Sequence, residues 1–256
     1  MRKTVKVVVF VILASVLNVA TPPPATGPAD TISYPVVSAH RGGMSLYPEN
    51  TLAAFKTVRD SHAGQPIEFD VRGLKDGTLV INHDATIDRT STATGKLADL
   101  TKTQWSKVRI NNPQGGTVPA TTLDEVLAEF GGTDMLMVPE LKDETVTDKF
   151  IETLWPYRDQ VIVQSFNTTI VSRLVRTGFK TLQLANSPTA LVPGVYAVGY
   201  SHSNITQKAV DDAHRAGVTV WAWTVNDQNR IDELMNMEVD AVMTNNPNLT
   251  VGVRTG

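Results

Sequence analysis

The sequence predicts an α/β fold, a (β/α)8 TIM barrel with a small insertion after its third strand. From residue 36 onward, short β-branched runs alternate with helical patterns, as in βα units arranged around a parallel sheet. The chain has 256 residues, of which 41% are apolar, enough to bury the core of one large domain. An open doubly wound sheet is the alternative, but it needs a dinucleotide-type glycine turn after its first strand, and Arg41-Gly42-Gly43 lacks that spacing.

Nine runs have the composition and length of strands. They cover residues 36–40, 67–71, 79–83, 135–141, 161–166, 181–184, 195–200, 219–224 and 241–244. Because a barrel of this type uses eight strands, one run is left over. We expect the extra run to be 195–200, since only a short loop separates it from the run before it.

Helical patterns follow most of these runs. They cover residues 51–61, 123–130, 145–157, 168–177, 206–216 and 229–237. Thr122 begins the second of them with Glu125 three residues later, which is the spacing of a capping box. Residues 85–120 form a polar insertion with one short helical pattern, 102–108, which a second capping box opens at Thr101. We expect this insertion to contact substrate, because the loops after barrel strands build the active site.

Residues 1–29 have the pattern of a signal peptide and linker, and we assign residues 30–256 to the barrel domain. Three basic residues within 1–6 precede an apolar run from 7 to 17, which is short for a membrane span of roughly 20 residues. A stretch rich in Pro, Ala and Thr follows, and cleavage after Ala20 or Ala29 fits this pattern. We therefore expect a secreted protein whose mature chain does not insert stably in a membrane; a retained N-terminal anchor is the alternative.

The charge and the cysteine content exclude several classes of function. The formal net charge is −3, which provides no basic surface for binding nucleic acid. The chain has no cysteine, so disulfides, Cys-ligated metal sites and a thiol nucleophile are excluded. Any metal would have to bind through oxygen or imidazole ligands.

Two pairs of charged residues lie near the C-terminal ends of two predicted strands. Because alternate residues of a strand share a face, Glu68 lies on the same side as Asp70, and Glu140 on the same side as Lys142. In a barrel these side chains meet at the mouth, where active sites form. Three carboxylates in a site of low dielectric constant repel one another, so we predict that they bind a divalent metal, Ca²⁺ or Mg²⁺. The alternative is a set of solvated strand ends.

Two histidines, His40 and His83, each end an apolar run beside a charged residue. Next to a carboxylate cluster, two imidazoles are suited to act as a general base and a general acid. Arg41 and Lys142 supply positive charge for an anionic substrate, and a guanidinium fits the paired oxygens of a phosphate.

The segment before the first helix is expected to complete this phosphate site. The helix that begins near Asn50 would aim its free N–H groups, and the positive end of its dipole, at the same place. Glu49 can orient Arg41 or His40, and its alternative role is that of a favourable acid at a helix start. We predict that Glu49 and Asn50 contribute to substrate binding.

The motifs, taken together, resemble those of the glycerophosphodiester phosphodiesterase family, barrel enzymes related to phosphatidylinositol-specific phospholipases. The motifs are, in order, HRG (40–42), PENT (48–51), E-x-D (68–70), KDGTLVINHDATIDRTS (75–91), ELK (140–142), QSF (164–166) and WTVN (223–226). The similarity covers residues 36–248, and the segment after His83 matches the insertion that is characteristic of the family. A departure occurs at Asn245, where the family usually has an aspartate, and this weakens any role assigned there.

The resemblance implies a role for each site residue. The implied acid/base pair is His40 and His83, and the implied metal ligands are Glu68, Asp70 and Glu140. The residues that would contact the phosphate are Arg41 and Lys142, and those that would line the glycerol side of the pocket are Phe166 and Trp223.

These observations together predict a secreted, metal-dependent phosphodiesterase. Its substrate would be a small glycerophosphodiester, such as glycerophosphocholine or glycerophosphoethanolamine, and its products sn-glycerol 3-phosphate and an alcohol. The alternatives are a lysophospholipase D-like enzyme, a teichoic-acid-type glycerol-phosphate hydrolase and a barrel that binds glycerophosphodiesters without catalysis. The insertion is polar and has Trp105 as its only aromatic residue, which favours a small soluble substrate over a long-chain lipid.

Overall fold

The structure is a computed structural model of the chain, and it describes residue 29, residues 33–62 and residues 65–251. The signal peptide and linker that we predict for residues 1–29 lie outside these residues, apart from Ala29. Within the described ranges, every helix is too short or too polar to cross a membrane.

Eight parallel strands close into a barrel. In the described residues the strands are β1 (Val36–Ala39), β2 (Ile67–Gly73), β3 (Leu79–Ile81), β4 (Arg109–Asn111), β5 (Thr117–Pro119), β6 (Met137–Leu141), β7 (Val163–Ser165), β8 (Thr181–Ala185), β9 (Ala197–Ser201), β10 (Thr219–Trp223) and β11 (Ala241–Thr244). Around the barrel the order is β1-β2-β6-β7-β8-β9-β10-β11, and β11 pairs with β1 to close the ring. The predicted TIM barrel is confirmed.

The extra run is β3, so the assignment of 195–200 as the extra run is wrong. β9 pairs in parallel with both β8 and β10 and is a full barrel strand. β3 pairs antiparallel with the end of β2, with Val71 opposite Ile81. The connection 186–196 contains no helix, but at about 3.3 Å per residue it can span roughly 35 Å. An extended loop of that length can connect two neighbouring barrel strands without a helix. The short connection before 195–200 was therefore not evidence that this run lies outside the barrel.

Six of the α-helices pack around the barrel and one lies in the insertion. In the described residues they are α1 (Leu52–Ser61), α2 (Lys102–Trp105), α3 (Leu123–Phe130), α4 (Thr147–Leu154), α5 (Thr168–Arg176), α6 (Gln207–Arg215) and α7 (Gln228–Asn236). Both predicted capping boxes are present, at the starts of α2 and α3. In each, a threonine hydroxyl accepts a bond from the N–H group three residues later, which satisfies one of the free donors of the helix start.

Alternation along the strands separates an inner from an outer apolar layer. Val138 and Trp221 belong to a cluster of residues inside the barrel, whereas Phe69 and Leu141 pack in the layer between strands and helices. Phe69 and Leu141 therefore turn outward. The residues that flank them on the same strands therefore point into the barrel. These are Glu68 and Asp70 on β2 and Glu140 on β6.

The insertion packs around a small apolar cluster that it shares with Leu74 and Val80 of the preceding hairpin. Leu97, Trp105 and Ile110 are buried together in a separate cluster, and β4 pairs with β5 as a two-stranded antiparallel hairpin. The predicted insertion is therefore a folded substructure, and it begins beside the strand end that carries His83.

Candidate active site

Three carboxylates converge where the first half of β2 lies beside the C-terminal end of β6. Asp70 lies opposite Glu140 in the parallel register, and Glu68 precedes Asp70 by two residues on the same face. One oxygen from each side chain lies within 4.8 Å of the other two. Glu68, Asp70 and Glu140 are 1%, 1% and 6% exposed. The predicted meeting of acids from two separate strands is confirmed.

Burial and mutual repulsion change the protonation of these acids. Burial and the charges of Asp70 and Glu140 raise the pKa of Glu68 well above its ordinary value. Burial and the charge of Asp70 raise the pKa of Glu140 to about 7. Burial also acts to raise the pKa of Asp70, but Lys142 and Arg41 outweigh it and hold that pKa below its ordinary value. Ionisation of all three acids at once is therefore unfavourable, and a bound cation would offset their mutual repulsion.

Two cationic side chains neutralise part of this charge. Lys142 Nζ lies 2.9 Å from Glu140 Oε1 and 3.4 Å from Asp70 Oδ1. Arg41 Nε lies 3.3 Å from Asp70 Oδ2, and the backbone N–H of Arg41 donates to Glu68 Oε2 at 2.8 Å. Both cations therefore lie beside the acids, where they would also contact an anionic ligand of a metal held by the cluster.

The turn after β1 explains the Arg-Gly-Gly sequence. Arg41, Gly42 and Gly43 have φ angles of 52°, 77° and 82°, in the left-handed region that glycine adopts freely and other residues rarely. A Cβ atom would lie 2.8 Å from Phe55 Cδ1 if it were built at Gly42, and 2.9 Å from Pro247 Cδ at Gly43. The two glycines therefore allow a tight turn that holds Arg41 at the barrel mouth.

The first histidine, His40, has a neutral hydrogen-bond partner. Its Nδ1 lies 2.6 Å from Asn245 Oδ1, and its Nε2 lies 4.0 Å from Glu68 Oε2. With an amide oxygen as acceptor, Nδ1 is the donor, and Nε2 faces the acids. Burial and the charge of Arg41 lower the pKa of His40 to about 4. Asn245 therefore orients His40, a role that the sequence analysis missed because the two residues are 205 positions apart.

The second histidine, His83, has a charged partner. Its Nδ1 lies 2.6 Å from Asp84 Oδ1, and Arg89 Nε donates to Asp84 Oδ2 at 2.7 Å. Burial lowers the pKa of His83, although the nearby Asp70 and Asp84 act in the opposite direction. Burial acts to raise the pKa of Asp84, but the hydrogen bonds from Arg89 and His83 lower it to about 2. Asp84 and Arg89 belong to the motif at 75–91, but neither residue had a predicted role.

A side chain of the insertion, Arg89, also binds the segment before α1. Its NH1 and NH2 groups donate to the two carboxylate oxygens of Glu49 at 2.7 and 2.9 Å. Arg41 NH1 donates to the same carboxylate at 3.2 Å. Glu49 therefore orients Arg41, which is one of the roles predicted for it, and it connects Arg41 to the insertion. Direct binding of substrate by Glu49 stays a prediction.

The buried amide of Asn50 is bonded to one of the acids. Asn50 Nδ2 donates to Asp70 Oδ2 at 2.8 Å, and Asn50 Oδ1 accepts from the backbone N–H of Asp70 at 3.1 Å. Asn50 thus fixes the position of a candidate metal ligand, and its role in substrate binding stays a prediction.

The start of α1 does not offer the free N–H groups that we expected. The N–H of Leu52 donates to Thr121 Oγ1 at 2.9 Å, and that of Ala54 donates to Thr51 Oγ1 at 3.2 Å. The expectation of a phosphate site formed by free amides at this helix start is wrong for these two groups, because a capping threonine and a neighbouring loop already satisfy them.

Most of the predicted site residues line one cavity of about 160 Å³. It is lined by His40, Arg41, Glu68, His83, Glu140, Lys142, Gln164, Phe166, Leu184, Trp223, Thr224 and Met243. Both histidines, both cations and two of the acids therefore face one space. On the opposite side, Phe166 and Trp223 pack edge to face with their ring centroids 5.2 Å apart.

A further polar residue in this cavity, Gln164, carried no prediction beyond its motif. Its Nε2 donates to Glu68 Oε1 at 2.8 Å, and its side chain is fully buried. Its Oε1 has no hydrogen-bond partner among the described residues. Gln164 therefore holds one of the acids in place through its amide nitrogen.

The donor set of the acid cluster fits a divalent metal. Three carboxylate oxygens from Glu68, Asp70 and Glu140 are close enough to share one ion. Oxygen ligands of this kind are those that hard cations such as Ca²⁺ and Mg²⁺ prefer. Burial, together with the charges of Asp70 and Glu140, raises the pKa of Glu68, and a bound cation would offset the repulsion among the three acids.

Comparison with known families identifies relatives of this chain. The model of the glycerophosphoryl diester phosphodiesterase family matches residues 40–249. A glycerophosphodiester phosphodiesterase from Caldanaerobacter subterraneus subsp. tengcongensis is 29% identical, over 86% of this chain and 98% of the relative. A glycerophosphodiester phosphodiesterase from Bacillus subtilis is 26% identical over the whole length of both chains.

Solved structures share the barrel. The crystal structure of glycerophosphodiester phosphodiesterase from Thermotoga maritima has a TM-score of 0.71 and 25% identity, with 85% of this chain and 97% of that chain covered. A phosphodiesterase from Oleispira antarctica, determined in complex with the product sn-glycerol-3-phosphate, has a TM-score of 0.72 and 23% identity, with 84% and 94% covered.

Proposed function

The chain belongs to the glycerophosphodiester phosphodiesterase family and is a phosphoric diester hydrolase, and from this premise we propose how its site works. The proposed substrates are small glycerophosphodiesters, and the proposed products are sn-glycerol 3-phosphate and an alcohol. The family assignment argues against a barrel that binds these diesters without catalysis.

The observation that carries this proposal is the arrangement of the cavity lining. Two imidazoles, two cations and two of the three clustered acids face a space of about 160 Å³, a volume suited to the glycerol phosphate part of a substrate. The aromatic pair of Phe166 and Trp223 supplies an apolar side for the carbon chain of glycerol.

The two imidazoles carry the protons of the reaction. One of His40 and His83 removes a proton from the attacking hydroxyl group, and the other protonates the leaving alkoxide. In sum, one water is consumed: its oxygen bonds to phosphorus, the bond from phosphorus to the alcohol oxygen breaks with its electron pair, and a proton ends on that oxygen. The attacking hydroxyl belongs either to water or first to glycerol itself, through a cyclic phosphate that water then opens.

Electrostatic stabilisation comes from the residues around the phosphate. Arg41 and Lys142 lie beside the acids and would neutralise the charge that grows on the phosphoryl oxygens. Glu68, Asp70 and Glu140 would hold Ca²⁺ or Mg²⁺, which when bound supplies further positive charge to the same oxygens. Asn245, Asp84 and Gln164 keep the imidazoles and an acid in position.

The test is release of glycerol 3-phosphate from several glycerophosphodiesters in the presence of Ca²⁺ or Mg²⁺. We expect release by the parent and a loss of roughly 10²-fold or more for His40→Ala and for His83→Ala, on the scale of general acid–base catalysis. Absence of release from every diester, with either ion present, would overturn the proposed substrate class.

Secretion is a separate proposal, which rests on the sequence of residues 1–29. The basic start, the apolar run and the following linker are those of a cleavable signal. N-terminal sequencing of the protein recovered outside the producing cell should place the first residue after Ala20 or Ala29. Retention of the whole N-terminus in a membrane fraction would contradict secretion.

A further inference from the structure

A second concavity opens on the same face of the barrel, beside the catalytic cavity. It encloses about 430 Å³ and lies between the start of α5 and the loop that follows β8. Its lining consists of Phe166, Thr168, Gln183, Leu184, Ala185, Asn186, Ser187, Pro188 and Thr189. We call it the β8 groove.

The β8 groove is continuous with the catalytic cavity. Phe166 and Leu184 line both. A substituent on the phosphate that extends past these two side chains therefore enters the groove. A third concavity, beside the insertion, is lined in part by Glu49, Arg89 and Asn111. It shares no lining residue with the catalytic cavity, and two of those three residues are already bonded to each other.

The outer wall of the groove is held in place by hydrogen bonds. Gln183 is buried, and its side chain donates to the carbonyl of Ala190 at 3.0 Å and accepts from the N–H of Val192 at 2.7 Å. Asn204 Nδ2 donates to the carbonyl of Asn186 at 2.8 Å. The loop after β8 is therefore fixed to the barrel, and the groove is a formed surface rather than a gap beside a free loop.

The groove is polar but carries no ionisable side chain. Its lining offers hydroxyl and amide groups from Thr168, Asn186, Ser187 and Thr189, and it has no carboxylate to pair with an ammonium group. The aromatic ring at its inner edge, that of Phe166, already has Lys142 Nζ at 5.8 Å from its centroid. A second cation over that ring would meet like charge, so a choline or ethanolamine group gains little there.

We propose that the β8 groove binds the alcohol part of the substrate and selects uncharged polyol head groups, such as glycerol or inositol, over the quaternary ammonium group of choline. This inference rests on the proposed function, since it takes the phosphate to lie at the acid cluster. Hydroxyl groups of a polyol can exchange hydrogen bonds with the neutral side chains of the groove, whereas a quaternary ammonium group cannot donate or accept one.

The test compares kcat/KM for glycerophosphoglycerol, glycerophosphoinositol and glycerophosphocholine, with glycerol 3-phosphate as the common product. We expect each polyol diester to exceed glycerophosphocholine by about tenfold, on the order of two neutral hydrogen bonds. Equal or faster turnover of glycerophosphocholine would overturn the inference while leaving the proposed function intact. Absence of release from all three would overturn the proposed function, and the inference with it.

A matched pair of variants locates the selectivity. Asn186→Asp adds a carboxylate to the β8 groove and should shift the ratio toward glycerophosphocholine by about three- to fivefold, as expected for one exposed ion pair. Asn111→Asp makes the same change in the groove beside the insertion and should leave the ratio unchanged. A shift with Asn111→Asp that equals or exceeds that of Asn186→Asp would place the head group in the other groove and contradict the proposal.

Discussion

The two walls of the catalytic cavity differ in charge and in the part of the chain that forms them. The ionisable lining residues all lie between His40 and Lys142, on β2 and β6 or just after β1, β3 and β6. The lining from Gln164 to Met243 is neutral and includes two aromatic rings that pack edge to face. The first half of the barrel, which we call the charged wall, carries the groups to which we assign charge and proton transfer, and the second half, the neutral wall, carries the surface that we propose for the carbon skeleton.

The largest expected effect is a loss of kcat when either histidine of the charged wall is replaced, but not when a histidine outside the cavity is replaced. His40→Ala and His83→Ala should each lower kcat by roughly 10²-fold or more, because each removes a proton carrier. His62→Ala is the control: His62 lies at the end of α1, bonded to Tyr47, and its loss should leave kcat almost unchanged. Steady-state kinetics on folded variants would decide, and an effect of His62→Ala equal to the others would contradict the assignment.

The second prediction concerns the acids of the charged wall. In the parent, a divalent cation at about 100 times its Kd should stabilise the fold by about 2.7 kcal/mol, which raises Tm by roughly 5–10 °C for a domain of this size. Glu140→Gln should abolish most of this rise and of the activity. Its metal-free Tm should match or exceed that of the parent, because the amide oxygen can still accept from Lys142 Nζ and one repelling charge is gone.

Thermal unfolding with and without the cation measures both effects. An unchanged response of Glu140→Gln to the cation would show that Glu140 is not a ligand. A large fall in Tm without metal would instead show that the variant has lost part of its fold, and its activity would then say nothing about the site.

A smaller effect is expected on the neutral wall. Phe166→Ala removes an apolar ring from the cavity lining and should raise KM by roughly 4- to 15-fold with little change in kcat, since burial of one or two CH₂ groups of the substrate is worth about 0.8 kcal/mol each. Trp155→Ala is the control, since Trp155 is as exposed as Phe166 but packs on Phe179, outside the cavity. A large fall in kcat with an unchanged KM would remove the distinction between the two walls.

The smallest effect concerns Asp84 and is a dependence of stability on pH. The pKa of Asp84 is lowered to about 2 in the folded chain by its bonds to Arg89 and His83, against an unfolded value of about 3.9. The unfolded state therefore binds more protons between these values, so the stabilisation is complete above about pH 4 and is lost as the pH falls toward 2. The difference in unfolding free energy between parent and Asp84→Asn should be present at neutral pH and vanish in acid. A constant difference across this range would contradict the linkage.

The charged wall was largely predictable from the sequence, because its key contacts follow from strand geometry. Alternation along a strand places Glu68 beside Asp70, and parallel pairing places Asp70 opposite Glu140. The contacts that orient these groups were not predictable in this way. His40 meets Asn245 and Glu49 meets Arg89 across long sequence separations, and neither partner lies on the strand face that the alternation rule describes.

Two features of the fold, at β3 and at α1, were likewise not predictable from the sequence. The apolar run 79–83 has the composition of a barrel strand, but it follows β2 through a tight turn and pairs antiparallel, a choice that composition does not encode. At α1, the hydroxyl of Thr121, which binds the Leu52 N–H, comes from a distant loop. Helix-start patterns identify local capping, whereas such distant acceptors depend on the assembled fold.

The most direct test of the account is the rate of glycerol 3-phosphate release by protein stripped of metal with a chelator, measured as Ca²⁺ or Mg²⁺ is added back. If Glu68, Asp70 and Glu140 share one catalytic ion, the stripped parent should be nearly inactive and should recover along a saturable curve, whereas Glu140→Gln should not recover. Full activity of the stripped parent, unchanged by either ion, would contradict the central claim that these acids from two strands form the metal site of the enzyme.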